Sequence, residues 1–297
     1  NTSITNLAPL EEMTQLQHLY CSNTRITSLA PLAGMTQLLD LYCGDTSITS
    51  LAPLGGMTKL LELSCHNTDI TSLARLAGMT QLRELNCYNT GITSLAPLEG
   101  MTQLQQLSCN NTSITSLAPL EGMTQLQVLY CDNTSVSSLA PIAGLTELEM
   151  LSCNNTAVTD LRPISRLKNL ANGPRNWRGL HFRDCVAARL DMQPGGLNEL
   201  SMIESDFDRT TKTLAYLSTL EVWPPVLDAP AQDAALEIVE NEAGQLDLAP
   251  QDAPDADEAR QECYDHLVDV TGELARLSGN QFSDIARTAR KLSDLLG

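Results

Sequence analysis

The fold is decided by residues 16–37, which read LQHLYCSNTRITSLAPLAGMTQ. The same 22-residue pattern returns in six further copies. They begin at Leu38, Leu60, Leu82, Leu104, Leu126 and Leu148. Residues 1–15 match the end of an earlier copy, so seven full repeats and one partial repeat run to about Leu170. Because one unit recurs at a fixed spacing, we expect a stack of similar coils.

The internal pattern of each repeat predicts a short strand followed by a turn. Leu19 and Cys21 alternate with His18 and Tyr20, which is the period of a strand that buries one face. Six prolines, which lack a backbone donor, suit an outer turn. They are Pro31, Pro53, Pro97, Pro119, Pro141 and Pro163. One repeat buries too little apolar surface to offset the entropy of ordering its backbone, so the repeats must stack.

The pattern LxxLxCxNTxIxxLxPLxxM resembles the leucine-rich repeat family, and most closely the 22-residue repeats of bacterial internalin-like proteins. Two departures stand out: cysteine replaces the family's usual third leucine, and threonine stands at the usual asparagine position, with asparagine one place earlier. The resemblance implies an α/β repeat, a right-handed solenoid over residues 1–170. It implies one short parallel strand per repeat on a concave face and a tight return on the convex side. It also implies that the protein is a recognition module. Some bacterial relatives of this kind are exported to act on host proteins.

Two further columns recur with the period. A threonine column predicts hydroxyls that bond to loop backbone groups in place of the family's asparagine ladder. Its members are Thr2, Thr24, Thr46, Thr68, Thr90, Thr112, Thr134 and Thr156. A glycine column predicts a positive φ or tight packing between coils. Its members are Gly34, Gly56, Gly78, Gly100, Gly122 and Gly144.

Seven of the nine cysteines also obey the period. They are Cys21, Cys43, Cys65, Cys87, Cys109, Cys131 and Cys153. Their odd number, the absence of CxxC and the unsuitable spacing of the histidines argue against disulfides and a metal site. We therefore expect buried, reduced thiols and no cofactor. Reduced thiols favour the cytoplasm, and a secreted effector is the alternative. Because the chain opens inside a repeat and without Met, we expect the native N-terminus to lie upstream.

The charge of the chain limits its partners. There are 36 acidic and 18 basic residues, which gives a net charge of −18. Phosphate-rich surfaces repel such a chain, so we expect neither nucleic acid nor a membrane as its partner. No apolar run approaches the roughly 18–20 residues of a membrane span.

The periodicity fails after Leu170, and the remaining sequence predicts three regions. Residues 171–227 are expected to form a mostly helical C-terminal cap over the last coil. Residues 228–256 read as an acidic linker with a small β-hairpin. Residues 257–297 carry two apolar stripes at helical spacing, which predict a helical hairpin and weak self-association through it.

The cap region itself carries two helical patterns. One is the helical spacing of Leu197, Leu200, Ile203 and Phe207. Asp208 is expected to cap a second helix, which carries Leu214 and Leu217.

The best candidate site is the outward side of the predicted strands. Four of the six tyrosines and a central acidic stripe lie there, inside an otherwise repetitive frame. Tyrosine is enriched at the energetic centres of protein interfaces. The candidate residues are Tyr20, Tyr42, Asp40, Glu62, His66, Glu84, Tyr88 and Tyr130. The sequence therefore predicts a non-catalytic module that recognises an unknown protein on its concave face.

Two alternatives stay open at this stage. Cys263 lies in a Cys-x-Asp motif similar to the nucleophile motif of bacterial effectors that join leucine-rich repeats to a ubiquitin-ligase domain. Under that alternative the repeats would bind the substrate. Its acidic surroundings would raise the pKa of a thiol, the wrong direction for a nucleophile, so we expect no enzyme. The second alternative treats the repeats as a spacer only.

Overall fold

The computed structural model describes residues 3–171, 179–191 and 193–220. The acidic linker, the helical hairpin over 257–297 and Cys263 lie outside these residues. One compact unit comprises Asn1–Arg189 and Gly195–Thr219. The second unit, Leu190–Pro194 with Leu220–Gly297, falls almost wholly outside the described residues.

Eight short parallel strands form one sheet in sequence order. The strands are β1 (His18–Tyr20), β2 (Asp40–Tyr42), β3 (Glu62–Ser64), β4 (Glu84–Asn86), β5 (Gln106–Ser108), β6 (Val128–Tyr130), β7 (Met150–Ser152) and β8 (Gly179–His181). Equivalent residues of successive repeats pair in register, as in Leu19 with Leu41 and Leu41 with Leu63. This confirms the predicted solenoid with one parallel strand per repeat.

The return path of each repeat contains one 3₁₀ turn, and the path between β7 and β8 contains a second. These turns are Ala8–Leu10, Ala30–Leu32, Ala52–Leu54, Ala74–Leu76, Ala96–Leu98, Ala118–Leu120, Ala140–Ile142, Arg162–Ile164 and Lys168–Ala171. Proline occupies a first-turn position in most of them, where its missing donor is not needed. In the six turns from Ala30–Leu32 to Ala140–Ile142, a serine two residues earlier accepts the first N–H group, as Ser28 Oγ does from Ala30 at 3.1 Å.

The core is a stack of aliphatic layers between the strands and these turns. Leu41, Cys43 and Ile48 are each fully buried, and so are their equivalents in the next repeats. A fully buried leucine or isoleucine contributes about 1.5–3 kcal/mol. Each coil packs its layer against both neighbours, which explains why the chain needs only 4% aromatic residues.

Two side-chain ladders hold the loops after the strands. Each threonine hydroxyl from Thr24 to Thr156 donates to the carbonyl of the cysteine three residues earlier, at 2.5–2.8 Å. That bond to the loop backbone was predicted. The expectation that it replaces an asparagine ladder was wrong, because the residue before each threonine forms a second ladder. Asn67 Nδ2 donates to Asp45 Oδ1 at 2.6 Å, and Asn89 Nδ2 donates to Asn67 Oδ1 at 2.7 Å.

This asparagine column, and not the glycine column, carries the positive φ angles of every repeat. Asn23, Asp45, Asn67, Asn89, Asn111, Asn133 and Asn155 have φ between 50° and 57°. Asparagine and aspartate tolerate the left-handed region better than other non-glycine residues. In the glycine column only Gly78, Gly100 and Gly122 have positive φ. The expectation was wrong for Gly34, Gly56 and Gly144, which have neither a positive φ nor close neighbours.

The eighth strand was missed because the period lengthens. Met150 of β7 pairs with Gly179 of β8, so the last step along the chain is 29 residues instead of 22. The same offset places Phe182 at the position of Cys153 and Asp184 at that of Asn155. Phe182 is fully buried, and Asp184 has a φ of 58° like the asparagines that it follows.

Three α-helices follow: α1 (Val186–Leu190), α2 (Leu197–Ser201) and α3 (Asp206–Thr219). α3 covers the free edge of β8. The hydroxyl of Thr210 accepts a hydrogen bond from the Leu180 amide at 2.8 Å, and Arg209 Nε donates to the Leu180 carbonyl at 2.8 Å. These bonds satisfy backbone groups that an edge strand otherwise exposes, so the solenoid has a C-terminal cap.

Two details of the helix prediction were wrong. The pattern from Leu197 to Phe207 does not form one helix, because the chain leaves the helical path between Ser201 and Asp206. Asp208 lies inside the first turn of α3, and Ser205 provides the cap, since its Oγ accepts from the Asp208 amide at 3.3 Å. Phe207 is 61% exposed, and the buried side of α3 carries Arg209, Thr210, Thr213 and Leu217.

Candidate protein-binding face

The parallel register arranges the outward side chains of β1–β5 and of the residues just after them into three columns. We call this surface the outward face. Its first column is His18, Asp40, Glu62, Glu84 and Gln106. Its second column is Tyr20, Tyr42, Ser64, Asn86 and Ser108. Its third column is Ser22, Gly44, His66, Tyr88 and Asn110. Neighbours within a column are about 4.8 Å apart, the spacing of paired strands.

Aromatic rings stack in two places on the outward face. Tyr20 is 69% exposed, and its ring lies on that of Tyr42 with centroids 4.8 Å apart and planes 15° apart. His66 stacks on Tyr88 with centroids 4.7 Å apart and planes 20° apart. Each stacked pair presents a flat, pre-ordered surface with few rotamers left to lose on binding.

Gly44 makes room for the His66–Tyr88 pair. A Cβ atom at Gly44 would overlap the imidazole ring of His66. The ring lies 2.8 Å from Ser64 Oγ through Nδ1 and 3.2 Å from Asp45 Oδ2 through Nε2. The hydrogen bond from Asn67, followed by the nearby His66, holds the pKa of Asp45 below its ordinary value. The position of His66 is thus fixed by four neighbours.

Three carboxylates form a row in the first column, which we call the acidic row: Asp40, Glu62 and Glu84. Each accepts a hydrogen bond. His18 Nδ1 lies 2.5 Å from Asp40 Oδ2, and Gln106 Nε2 donates to Glu84 Oε1 at 2.9 Å. The Tyr42 hydroxyl donates to Glu62.

The titration of the acidic row and its neighbours reflects this crowding. Burial, and then the charges of Glu62 and Asp40, raises the pKa of Glu84 above its ordinary value. The hydrogen bond to Glu62, and then burial, raises the pKa of Tyr42 well above its ordinary value. Tyr42 therefore stays a neutral hydrogen-bond donor at any physiological pH.

The open part of the sheet ends at β6. Val128 and Met150 hold first-column positions on β6 and β7, yet they are 5% and 3% exposed. Ser152 is buried as well. Tyr130 is half buried on β6, where burial, followed by the charge of Asp132, raises its pKa. Of the eight predicted site residues, seven lie together on or beside β1–β4, and Tyr130 lies apart at the border of the covered strands.

A second concavity lies between β8 and the helices of the same unit. It has a volume of about 690 Å³ and contains His181, Asp206 and Arg209. The guanidinium of Arg209 is already occupied: it donates to the carbonyls of Leu180 and Ile203 at 2.8 and 2.7 Å and pairs with Asp206. Burial, and then the charge of Arg209, lowers the pKa of His181. This cluster holds α3 in place on β8.

The cysteines lie on the inner side of the sheet, away from the outward face. Eight of them, from Cys21 to Cys185, are free and buried. Burial raises the pKa of Cys21 to about 11 and that of Cys65 and Cys185 to about 12. Within the described ranges, no group of three histidine, cysteine or acidic residues could hold a metal ion.

Comparison with known proteins agrees with this architecture. Residues 14–56, 58–100, 80–122 and 102–144 match the family model "Leucine Rich repeats (2 copies)". Residues 14–56 and 58–144 therefore contain leucine-rich repeats. Its structure is similar to internalin C2 from Listeria monocytogenes, with 28% identity, a TM-score of 0.56, and coverage of 57% of this chain and 75% of that one. The predicted resemblance to internalin-like repeats is confirmed.

Two more distant solved structures share the fold. A leucine-rich repeat protein from Leptospira interrogans is 21% identical, with a TM-score of 0.54 and coverage of 61% of this chain and 46% of that one. The ectodomain of an Arabidopsis thaliana receptor kinase, solved in complex with Casparian strip integrity factor 2, is 17% identical. Its TM-score is 0.51, with coverage of 56% of this chain and 22% of that one. No curated protein matches the sequence.

Leucine-rich repeats stack into extended surfaces that serve protein recognition. The repeats of this chain support the general class of a protein-binding recognition module. No helix of the described part is long and apolar enough to cross a membrane.

Proposed function

We propose that this protein is a non-catalytic recognition module that binds a protein partner on its outward face. One observation carries the proposal. Over β1–β5 the sheet presents two stacked aromatic pairs beside a row of three carboxylates. Large aromatic side chains with little freedom left to lose are typical anchors of protein interfaces.

The architecture supports this choice over a spacer. A spacer needs only the buried columns, which recur almost without change from repeat to repeat. The outward positions instead vary between repeats, and tyrosine, histidine and acidic residues gather at one end of the sheet. The Arabidopsis receptor kinase ectodomain, which shares the fold, is described in complex with another factor. That precedent supports binding by the fold and leaves the partner of this chain to be found.

Catalysis finds no support among the described residues. A cysteine nucleophile needs a thiolate in an accessible position. Cys65 and Cys185 are buried, and burial raises the pKa of both thiols to about 12. We therefore propose that the thiols serve packing and stay reduced, which fits the cytoplasm or a shielded thiol in another compartment. We retain weak self-association through 257–297 as a proposal for the C-terminal region.

The test first selects binding peptides without bias and then measures how much substitutions on the outward face weaken their binding. A random peptide library displayed on phage is selected against the full chain, and selected peptides are measured by fluorescence anisotropy. We expect the triple change Tyr20→Ala, Tyr42→Ala and Tyr88→Ala to weaken binding at least about thirtyfold, since a truncated aromatic anchor typically costs about 2 kcal/mol.

A matched control removes three exposed apolar side chains from elsewhere. Met13, Met202 and Phe207 are 48%, 58% and 61% exposed and lie outside the outward face. We expect their triple change to alanine to leave binding within about twofold of the unchanged chain. The proposal would be contradicted if the control variant lost binding and the tyrosine variant kept it. Circular dichroism melts of both variants verify that each is folded.

A further inference from the structure

We propose that the outward face binds an extended, arginine-bearing segment of the partner, with the guanidinium groups seated on the acidic row. This inference rests on the proposed function and adds the chemistry of the partner.

Within the described residues, Asp40 of the acidic row has an ionisable partner, because His18 Nδ1 lies 2.5 Å from its Oδ2, and Glu62 and Glu84 have no cationic partner. The outward columns of β1–β5 contain no lysine or arginine. Arg83 precedes Glu84 in the chain, but no ion pair joins it to the row among the described residues. Lys59, another cation of these repeats, donates to Gln37 Oε1 at 2.6 Å. Glu62 and Glu84, on adjacent strands, therefore repel each other without a cation of their own to offset the repulsion.

The existing hydrogen bonds orient the acidic row without filling it. Tyr42 and Gln106 are neutral donors, and each holds one oxygen of a carboxylate. A carboxylate offers about four acceptor sites, so most of the capacity of Glu62 and Glu84 is free. Glu62 and Glu84 thus keep both their charge and room for a guanidinium, at an orientation that is already fixed.

The second column supplies a surface on which a guanidinium can stack. Tyr42 is two residues from Asp40 on β2, about 6.6 Å along the strand. A planar cation on the acidic row is therefore close to the stacked rings of Tyr20 and Tyr42. Arginine combines bidentate pairing to carboxylates with stacking on aromatic faces, which lysine does not.

Asn86 gives an independent sign that a donor is missing from this surface. It lies two residues after Glu84 on β4, and its Oδ1 atom is buried without a hydrogen-bond donor. A buried acceptor without a donor destabilises the structure, because it has lost its hydrogen bonds to water. A guanidinium on Glu84 brings additional N–H groups to the same strand.

The spacing of the row selects the spacing of the arginines. Three in-register carboxylates span about 9.6 Å, twice the distance between paired strands. Residues on one side of an extended segment are about 6.7 Å apart. Two arginines separated by one residue therefore fit within the length of the acidic row.

The experiment uses the full chain and a defined probe. The probe is a fluorescent nine-residue peptide of serine and glycine with an Arg-Ser-Arg centre, and its partner peptide carries citrulline in place of both arginines. Citrulline keeps the shape and removes the charge. We expect the citrulline peptide to bind at least about tenfold more weakly, as for other interfaces that lose a charge pair.

Two protein variants separate the acidic row from the overall charge of the chain. The face variant is Asp40→Asn, Glu62→Gln and Glu84→Gln. The control variant is Glu99→Gln, Glu121→Gln and Glu147→Gln, three exposed acids outside the outward face. Both remove three negative charges. We expect the face variant to bind the arginine peptide at least about tenfold more weakly and the control to stay within about threefold.

Three results would overturn the inference: equal losses in the two variants, undiminished binding by the face variant, or no measurable binding of the arginine peptide at 1 mM, roughly the weakest affinity that counts as binding. These failures are distinct from failure of the proposed function. If phage-selected peptides depend on the three tyrosines, lack arginine and bind the face variant unchanged, the proposed function stands and the arginine inference falls.

Discussion

Asn67 offers the sharpest test of how the repeats are held together. Its φ of 50° lies in the left-handed region, its Nδ2 donates to Asp45 Oδ1 at 2.6 Å, and its Oδ1 accepts from Asn89 at 2.7 Å. Replacement by alanine removes both hydrogen bonds and leaves a Cβ atom in a disfavoured backbone conformation. Replacement by glycine removes the same bonds but tolerates the conformation.

The magnitudes follow from these two contributions. Each lost hydrogen bond costs about 0.5–1.5 kcal/mol of the free energy of unfolding. The left-handed conformation costs a residue such as alanine about 1–2 kcal/mol. We therefore expect Asn67→Ala to lower the free energy of unfolding by about 2–5 kcal/mol, and Asn67→Gly by about 1–3 kcal/mol.

Urea denaturation followed by circular dichroism measures both values. Asn110→Ala is the control, because Asn110 does not have a positive φ and its side chain makes no hydrogen bond among the described residues. We expect it to cost less than about 0.5 kcal/mol. If Asn67→Gly destabilises the protein as much as Asn67→Ala, the left-handed conformation does not limit this column and the reasoning fails.

Three further predictions concern the buried groups. Because burial raises the pKa of Cys65 and Cys185 from 9.0 to about 12, the unfolded chain releases these protons first. The contribution of these thiols to the free energy of unfolding should be constant below about pH 8. It should fall between about pH 9 and 12, by up to about 1.4 kcal/mol per pH unit for each thiol. Urea titrations across this range test it, and Cys65→Val should reduce the slope. Gly179→Ala should lower the free energy of unfolding by about 1–3 kcal/mol in the same assay. The reason is that Gly179 has a φ of 123° and that a Cβ atom there would lie 2.5 Å from Thr210 Oγ1. An unchanged urea midpoint would contradict the packing of α3 on β8. Arg209→Ala should lower the free energy of unfolding by about 3–5 kcal/mol, because it removes the guanidinium from Asp206 and a donor from each of the Leu180 and Ile203 carbonyls. A loss below 1 kcal/mol, roughly the value of an exposed ion pair, would refute that role.

The architecture was predictable because the length of the repeat determines which residues of neighbouring strands pair. Leu19, Leu41 and Leu63 hold the same position in successive 22-residue repeats, and equivalent residues pair in register. The columns of the outward face could therefore be read from the sequence by adding 22 to each residue number. The stacked aromatic pairs lie at positions that the columns brought together. Their stacking also depends on ring orientation, which no sequence pattern carries.

The errors have physical causes that the sequence partly records. Glycine is the usual residue at positive φ, so we predicted positive φ angles for the glycine column. The asparagine column has them in every repeat. The step to β8 is seven residues longer than the period, and an alternation of Leu180 and Phe182 was the only trace of the strand. The covered border of the sheet had a clearer signal, since Val128 and Met150 are apolar at positions where the other repeats are polar.

The central claim, that a protein partner occupies the outward face, is tested most directly by hydroxyl-radical footprinting of the full chain with and without a selected binding peptide. Oxidation of each tyrosine is read by mass spectrometry. We predict that the peptide lowers the oxidation of Tyr20, Tyr42 and Tyr88 several-fold and leaves Tyr216 of α3 unchanged, because an anchor side chain is sealed from water in a bound interface. Protection of Tyr216 with unchanged oxidation of Tyr20, Tyr42 and Tyr88 would contradict the claim.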